Sequence, residues 1–279
     1  MRRLTSAGAA ALGVVLVIWS FAPVYNMLLI ALDPEEGEVE FSGNLWPPDP
    51  SLESFVVVLT EADRYLAHFW RQLGNSLAIG LATMILTVAI GSLASFAVGR
   101  TRLRRASLLV NAALVTYAVP ASFLIFPFHR VADMYGLSNS PWAVIAVHVT
   151  FATPFAILLL LQYARLIPVE LDDAARADGA SIAQVYWRIY LPLMSPALAV
   201  VATYALLIAW NDYLFQFVLL SSTQNMTVAI TQALLFDDPD PAWNAMMAVA
   251  IIYALPPLAI FYALRRHLIS ALMLDGVGR

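Results

Sequence analysis

Ile167–Pro196, IPVELDDAARADGASIAQVYWRIYLPLMSP, is the one long charged segment between strongly apolar runs in the second half of the chain. Its reading decides where the polypeptide leaves the membrane. Glu170, Asp172, Asp173 and Asp178, with Arg165, Arg176 and Arg188 in and beside it, would each cost roughly 2.5–3.5 kcal/mol at a bilayer centre, so the segment lies outside the lipid. It still reads as structured chain. Pro168 can start a helix, Glu170–Ala177 holds good helix formers, and Gly179 fits the position after a helix end, where the left-handed conformation suits glycine. Ser181 is placed to cap a second helix, in which Ile182, Val185, Tyr186 and Ile189 recur at helical spacing, and Pro192 is expected to stop it after Leu191. Ala174, Ala175 and Ala180 leave little bulk at the bend. Two short helices joined at a glycine make a compact knob that another protein could grip, or equally an ordinary cytoplasmic hairpin between two spans.

Outward from the knob the chain is apolar on both sides. Spans are expected at Pro141–Gln162 before it and Ala197–Leu220 after it, then at Ser107–Pro127 and Asn244–Leu264, then at Leu73–Val98, and finally at Ala7–Leu32, read as an uncleaved helix bent at Pro23. The fold class is therefore an all-α integral membrane protein of six transmembrane helices with a cytoplasmic helix-turn-helix loop, and residues 1–279 form one membrane domain. Composition agrees: 61% of residues are hydrophobic, 12% are charged and the mean hydropathy is +0.76, far from the soluble average of about 25% charged. Between the first two spans lies an acidic, turn-rich loop from Asp33 to Arg71, and outer loops are expected at Phe128–Ser140 and Ser221–Trp243.

Arginine sets the orientation. Arg100, Arg102, Arg104 and Arg105 crowd one short loop, which the positive-inside rule keeps in the cytoplasm. Arg2, Arg3, the knob arginines, Arg265, Arg266 and Arg279 fall on the same side, leaving only Arg64, Arg71 and Arg130 outside. Both termini are thus expected in the cytoplasm, in an inner (cell) membrane. Cysteine is absent, which excludes disulfides and thiolate metal sites. Lysine is absent too, so no P-loop of the form GxxxxGK[ST] can hold nucleotide phosphates. No metal-ligand spacing or nucleophile–base set is visible, and catalysis by this chain is not expected.

Ionisable groups at membrane depth each call for a role. Asp212, after Trp210 and Asn211 in the fifth span, could line a polar path, hold a ligand hydroxyl, or satisfy backbone groups freed at a helix break; structural bonding is the leading reading. Trp210 could stack on a sugar face but is more simply packing. His148 in the fourth span reads as a satisfied buried histidine, since a proton relay would need partners and nothing in the sequence brings Asp212 to it. Asn75, Ser76, Thr83 and Thr87 read as interhelical hydrogen-bonding or small-residue packing positions.

The knob resembles the EAA loop of ABC-importer permeases, whose pattern is E-A-A, three residues, G, and later I-x-L-P. Asp173, Ala174, Ala175, Gly179, Ile189, Leu191 and Pro192 stand in those places, with aspartate for glutamate. Several other segments, in the right order, resemble the carbohydrate-uptake (MalG-like) branch: LWPPDPSLESFVVVL at 45–59, Asn75–Ser76 with FAVGR ending that span, YGLSNSPWAV at 135–144, and AWNDYLF at 209–215. The resemblance implies a permease subunit of an ATP-dependent sugar importer, forming half of the translocation pathway by alternating access. Its implied partners are a second permease, two ATPase subunits that bind ATP and Mg, an extracytoplasmic solute-binding protein, the sugar, and surrounding lipid; no cofactor is bound by this chain and no nucleic acid is expected. The loop 164–196 would couple to the ATPases through Glu170, Asp173, Ala174, Ala175, Asp178, Gly179, Ile189, Leu191 and Pro192. Trp210, Asn211, Asp212 and His148 are candidates for the pathway, and Asp237, Asp238, Pro239 and Asp240 for contact with the binding protein. The tail ALMLDGVGR departs from the glycine-rich basic ending of the family, although Gly276 and Gly278 fit.

Two other readings stay open. A permease of the same class could carry a polyol, a glycerol-phosphate ester or a peptide, although a phosphate would favour a basic cavity and the spans show no buried arginine. A stand-alone secondary transporter would be expected to show inverted repeats and broken helices at the midplane, and neither is visible.

Overall fold

The computed structural model describes residues 2–33, 45–100, 115–239 and 241–276. Glu35, Glu36, Glu38 and Glu40, Arg102, Arg104 and Arg105, the first part of the expected third span (107–114), Asp240, and Gly278 and Arg279 lie outside the described residues. Among the described residues the regular elements are helices: α1 (Arg2–Ala31), α2 (Glu53–Thr60), α3 (Phe69–Arg100), α4 (Ile125–Met134), α5 (Pro141–Ala164), α6 (Glu170–Ala177), α7 (Ile182–Val185), α8 (Leu191–Asn211), α9 (Leu214–Leu219), α10 (Val228–Phe236) and α11 (Trp243–Gly276). Five stretches among the described residues are long and apolar enough to cross a membrane: Gly8–Ala31, Phe69–Arg100, Pro141–Ala164, Ile182–Asn211 and Trp243–Leu268.

Two compact units divide the chain. Residues 1–71 and 230–255 form the first. Here α1 is apolar all round and exposed from Leu12 to Val24, as a helix in lipid would be. Val58, Leu66 and Phe69 are fully buried. The Ser51 N–H bonds to the Leu32 carbonyl at 2.8 Å, and Trp70 Nε1 donates to the Leu59 carbonyl at 3.0 Å. The acidic stretch is not wholly loop, since α2 forms in it and ends at Glu61 in a left-handed cap, φ 57.

The second unit holds residues 72–229 and 256–279. Its core is built where α5 packs against α8 and the turn before it: Ala156, Leu160, Ala164, Ile167, Tyr186, Tyr190, Met194, Ala197 and Val201. Small residues let α3 approach this core, for a Cβ on Gly91 would sit 3.1 Å from Ala156 Cβ. Thr83 and Thr87 are buried with hydroxyls unpaired among the described residues; they pack rather than bond.

Several expectations need correction. Pro192 does not stop the second knob helix. A π turn at Tyr186–Tyr190 joins α7 to α8, the Leu191 N–H reaches back to the Tyr186 carbonyl, and Pro192, lacking an N–H, falls in the first turn of α8 where that loss costs least. The fifth span is not one helix to Leu220 either, because α8 ends at Asn211, Asp212 is extended (ψ 130), and α9 begins at Leu214. The described part of the third span runs as 3₁₀ turns at Thr116–Ala118 and Ala121–Leu124 on either side of Pro120, and the chain then stays helical through Pro127 to Met134, inside the expected outer loop. Similarly α10 occupies part of the expected loop 221–243, and α11 runs past Leu264.

Candidate functional site

The knob is a pair of well-ended helices. At the end of α6 the Gly179 N–H bonds to the Arg176 carbonyl at 3.0 Å and the Ala180 N–H to the Ala175 carbonyl at 2.9 Å, a Schellman closure that requires the left-handed Gly179, φ +88. Ser181 then begins α7 with a capping box: its Oγ accepts from the Gln184 N–H at 3.3 Å, and Gln184 Oε1 accepts from the Ser181 N–H at 2.7 Å. Sequence reading found Ser181 but missed Gln184, which the spacing S-x-x-Q signals. Glu170, Asp173, Ala174, Asp178 and Gly179 are exposed, Ala175 is half-buried, and Ala175, Asp178, Gly179, Gln184, Arg188 and Ile189 line a small hollow of about 320 Å³. Leu191 and Pro192 stand instead at the start of α8.

α3 holds the other side of the knob. Tyr186 and Tyr190 pair their hydroxyls with Ser92 Oγ at 2.8 Å and Ser95 Oγ at 3.0 Å, and Phe96 sets its ring edge-on to both. Arg100 Nε lies 2.9 Å from Asp172 Oδ2, with both side chains more than nine-tenths buried (8% and 9% exposed). Burial pushes the Asp172 carboxyl above its ordinary 3.8, against the downward pull of Arg100.

A second site lies in the spans. A cavity of about 570 Å³ is lined by Tyr117, Phe151, Tyr204 and Phe215, by aliphatic and proline side chains, and by His148, Asn211 and Asp212. His148 Nε2 stands 3.2 Å from Asp212 Oδ2, at ion-pair distance but not in aligned hydrogen-bond geometry. The sequence carries no signal for this pairing, and His148 is not the satisfied histidine expected, since neither ring nitrogen has an aligned partner among the described residues. Asp212 Oδ2 also accepts from the Gln216 N–H at 3.2 Å, and Gln216 Nε2 donates to the Ala209 carbonyl at 2.8 Å. Asp212 and Gln216 thus satisfy backbone groups freed at the break. Gln216 was missed, since its partner is known only once the helix is seen to break. Trp210 does not line this cavity; it is buried with its ring facing Gly80.

At the outer loops, Asn139 in a left-handed conformation (φ 56) accepts from the N–H groups of Ser221 at 2.9 Å and Ser222 at 3.1 Å, and Asn75 donates to the carbonyls of Gln224 and Met226, each at 2.9 Å. Asp237, Asp238 and Pro239 follow α10 in a turn, and Asp238 pairs with Arg64. No metal-holding group of three or more His, Cys, Asp or Glu occurs among the described residues.

Long apolar helices interrupted by a charged helical knob define a multi-pass membrane protein. The family model described as binding-protein-dependent transport system inner membrane component matches residues 87–273, and the chain belongs to that family: it is a transport permease of the inner membrane. It is 30% identical to the inner membrane ABC transporter permease protein YcjP of Escherichia coli K12, over 95% of this chain and 94% of that one. It is 27% identical to the diacetylchitobiose uptake system permease protein DasC of Streptomyces coelicolor, again over 95% and 94%. A solved bacterial ABC transporter involved in the import of the acidic polysaccharide alginate shares the fold, with a TM-score of 0.76 at 20% identity over 95% of this chain and 96% of that one.

Proposed function

We propose that this chain is a permease subunit of an ATP-driven sugar importer, contributing half of a pathway that opens alternately to the two sides of the membrane. The family match over residues 87–273, which takes in the knob and the later spans, carries this reading, and the sugar follows the naming of relatives such as the diacetylchitobiose permease. A second permease, two ATPase subunits holding ATP and Mg, and a solute-binding protein complete the assembly, with both termini of this chain in the cytoplasm. The knob from Glu170 to Pro192 couples to the ATPases, His148, Asn211 and Asp212 belong to the pathway, and the turn at Asp237–Pro239 faces the binding protein. Among the described residues lining the cavity there is no arginine, which favours a neutral solute over a uronate or a phosphate ester.

The test is ATP-dependent uptake by the co-purified complex in vesicles, with radiolabelled diacetylchitobiose, maltotriose and sorbitol as probes. Uptake of a sugar, lost together with ATP hydrolysis in Gly179→Asp and lost with hydrolysis intact in Asp212→Ala, is the expected result. Uptake of sorbitol alone moves the substrate to polyols. Undisturbed uptake and ATPase binding in Gly179→Asp would falsify the coupled-permease reading and bring the secondary transporter forward.

A further inference from the structure

Ser92, Ser95, Phe96 and Arg100 follow one another at helical spacing, so they form one stripe on the last turns of α3. Every partner of that stripe described above belongs to the knob or to the π turn: Tyr186, Tyr190 and Asp172, to which Arg100 adds a 3.3 Å bond from Nη1 to the Ile167 carbonyl and a guanidinium 5.8 Å from the centre of the Tyr190 ring. The coupling role given to the knob uses its exposed residues; it leaves this inner contact without a task.

Stability does not explain the ion pair. Arg100 Nε and Nη2 and Asp172 Oδ1 are buried with no aligned hydrogen-bond partner among the described residues, and the desolvation of Asp172 outweighs the attraction of Arg100. A buried pair with unmade bonds stabilises less than apolar side chains of the same size would. What it does supply is a fixed relation between two helices. Arg100 is the last residue of α3 and Asp172 lies in the first turn of α6, so each charge sits at the helix end whose dipole favours it, and the two ends are joined.

We propose that Arg100 and Asp172 are positioning residues that lock the knob to the end of α3, so that displacement of the knob by an ATPase moves α3 with it as one body. The proposal rests on the coupling role given to the knob above. It assigns the transmission step to a pair of charges that need touch neither ATPase nor solute.

The experiment uses the full complex of permeases and ATPases in proteoliposomes, with the binding protein purified together with its endogenous ligand. Since the chain has no cysteine, cysteines introduced at Leu93 and Ala177, both exposed, carry spin labels across the α3–knob contact. In the wild type the inter-label distance stays the same without nucleotide and with ATP, Mg and vanadate. In Arg100→Met combined with Asp172→Leu, the complex assembles and melts no lower, yet the distance distribution broadens and shifts with nucleotide, and stimulation of hydrolysis by the binding protein falls about tenfold, within the usual range of site-to-site coupling. Arg100→Lys, which keeps the charge but not the planar fork, gives the same change in smaller degree and carries the test if the double variant does not assemble. A double variant with an unmoved distance and unreduced stimulation, beside a Gly179→Asp control that has lost stimulation, overturns the lock alone. A Gly179→Asp control that keeps stimulation overturns the coupling reading beneath it.

Discussion

Two glycines do opposite jobs. A Cβ on Gly179 would meet nothing within 4 Å, so the only objection to a side chain there is the backbone, φ +88. Gly179→Ala is expected to cost about 1 kcal/mol and to leave the complex assembled, as read by thermal unfolding and co-purification. Gly91 has ordinary helical geometry but a crowded Cβ position, 3.1 Å from Ala156 Cβ and 3.3 Å from Leu160 Cδ1. Gly91→Ala should therefore cost more, about 1–3 kcal/mol, in the same melts. Asp172 gives a pH signature. Its folded-state value lies above the ordinary 3.8, so the folded protein holds that proton more tightly than the unfolded chain. Its contribution to stability is present at low pH and is lost as pH rises from about 3.8 through the raised value. The melting temperature of the wild type relative to Asp172→Asn should accordingly rise on acidification through that window; a difference that is flat with pH would show that the carboxyl titrates alike in both states. Gly179 and Ser181 were legible in the sequence because their jobs are local. Asp172 was read only as a charge outside the lipid, since its partner lies on a helix far away in the chain.

Helices show the same division. Apolar runs and the glycine gave the ends of α5 and α6 closely, because Pro141 and Gly179 act within their own turns. Pro192 and the apolar run around Asp212 misled for a related reason. A proline is read as a stop, yet a π turn just before it keeps the helix going, and an apolar run from Ala197 to Leu220 reads as one helix although Asp212 and Gln216 support a break within it. Removing that support tests the account. Gln216→Leu strands the Ala209 carbonyl in a buried site, and a loss of about 1–3 kcal/mol is expected, with the effect on uptake larger than that on ATPase binding. Tyr186→Phe and Tyr190→Phe should cost less, about 0.5–1.5 kcal/mol each, because Ser92 and Ser95 keep their bonds to the Ala89 and Ser92 carbonyls.

Across the whole chain, hydropathy and arginine placement made the membrane class and most of the apolar helices readable, whereas the pairing of His148 with Asp212 and of Arg100 with Asp172 was not, because no periodicity encodes contacts between distant helices. Sidedness is directly measurable on a chain without cysteine. Ala177→Cys is expected to react with an impermeant maleimide only from the cytoplasmic face and Tyr135→Cys only from the opposite face; labelling of both from one side would reverse or break the topology. The π turn has a consequence at this scale. It takes up one extra residue while keeping the phase between the knob and the 21-residue helix that follows. Deleting a single residue from Tyr186–Tyr190 would restore regular winding with α8 kept near its present phase to the knob, whereas a residue deleted within α8 itself would rotate the rest of that helix by about 100°, turning Asn211 away from the cavity while leaving every side chain of the site in the sequence. Coupling and pathway thus stay in step although the chain carries one extra residue between them, and the turn is the place in this helix where a change of length does least harm.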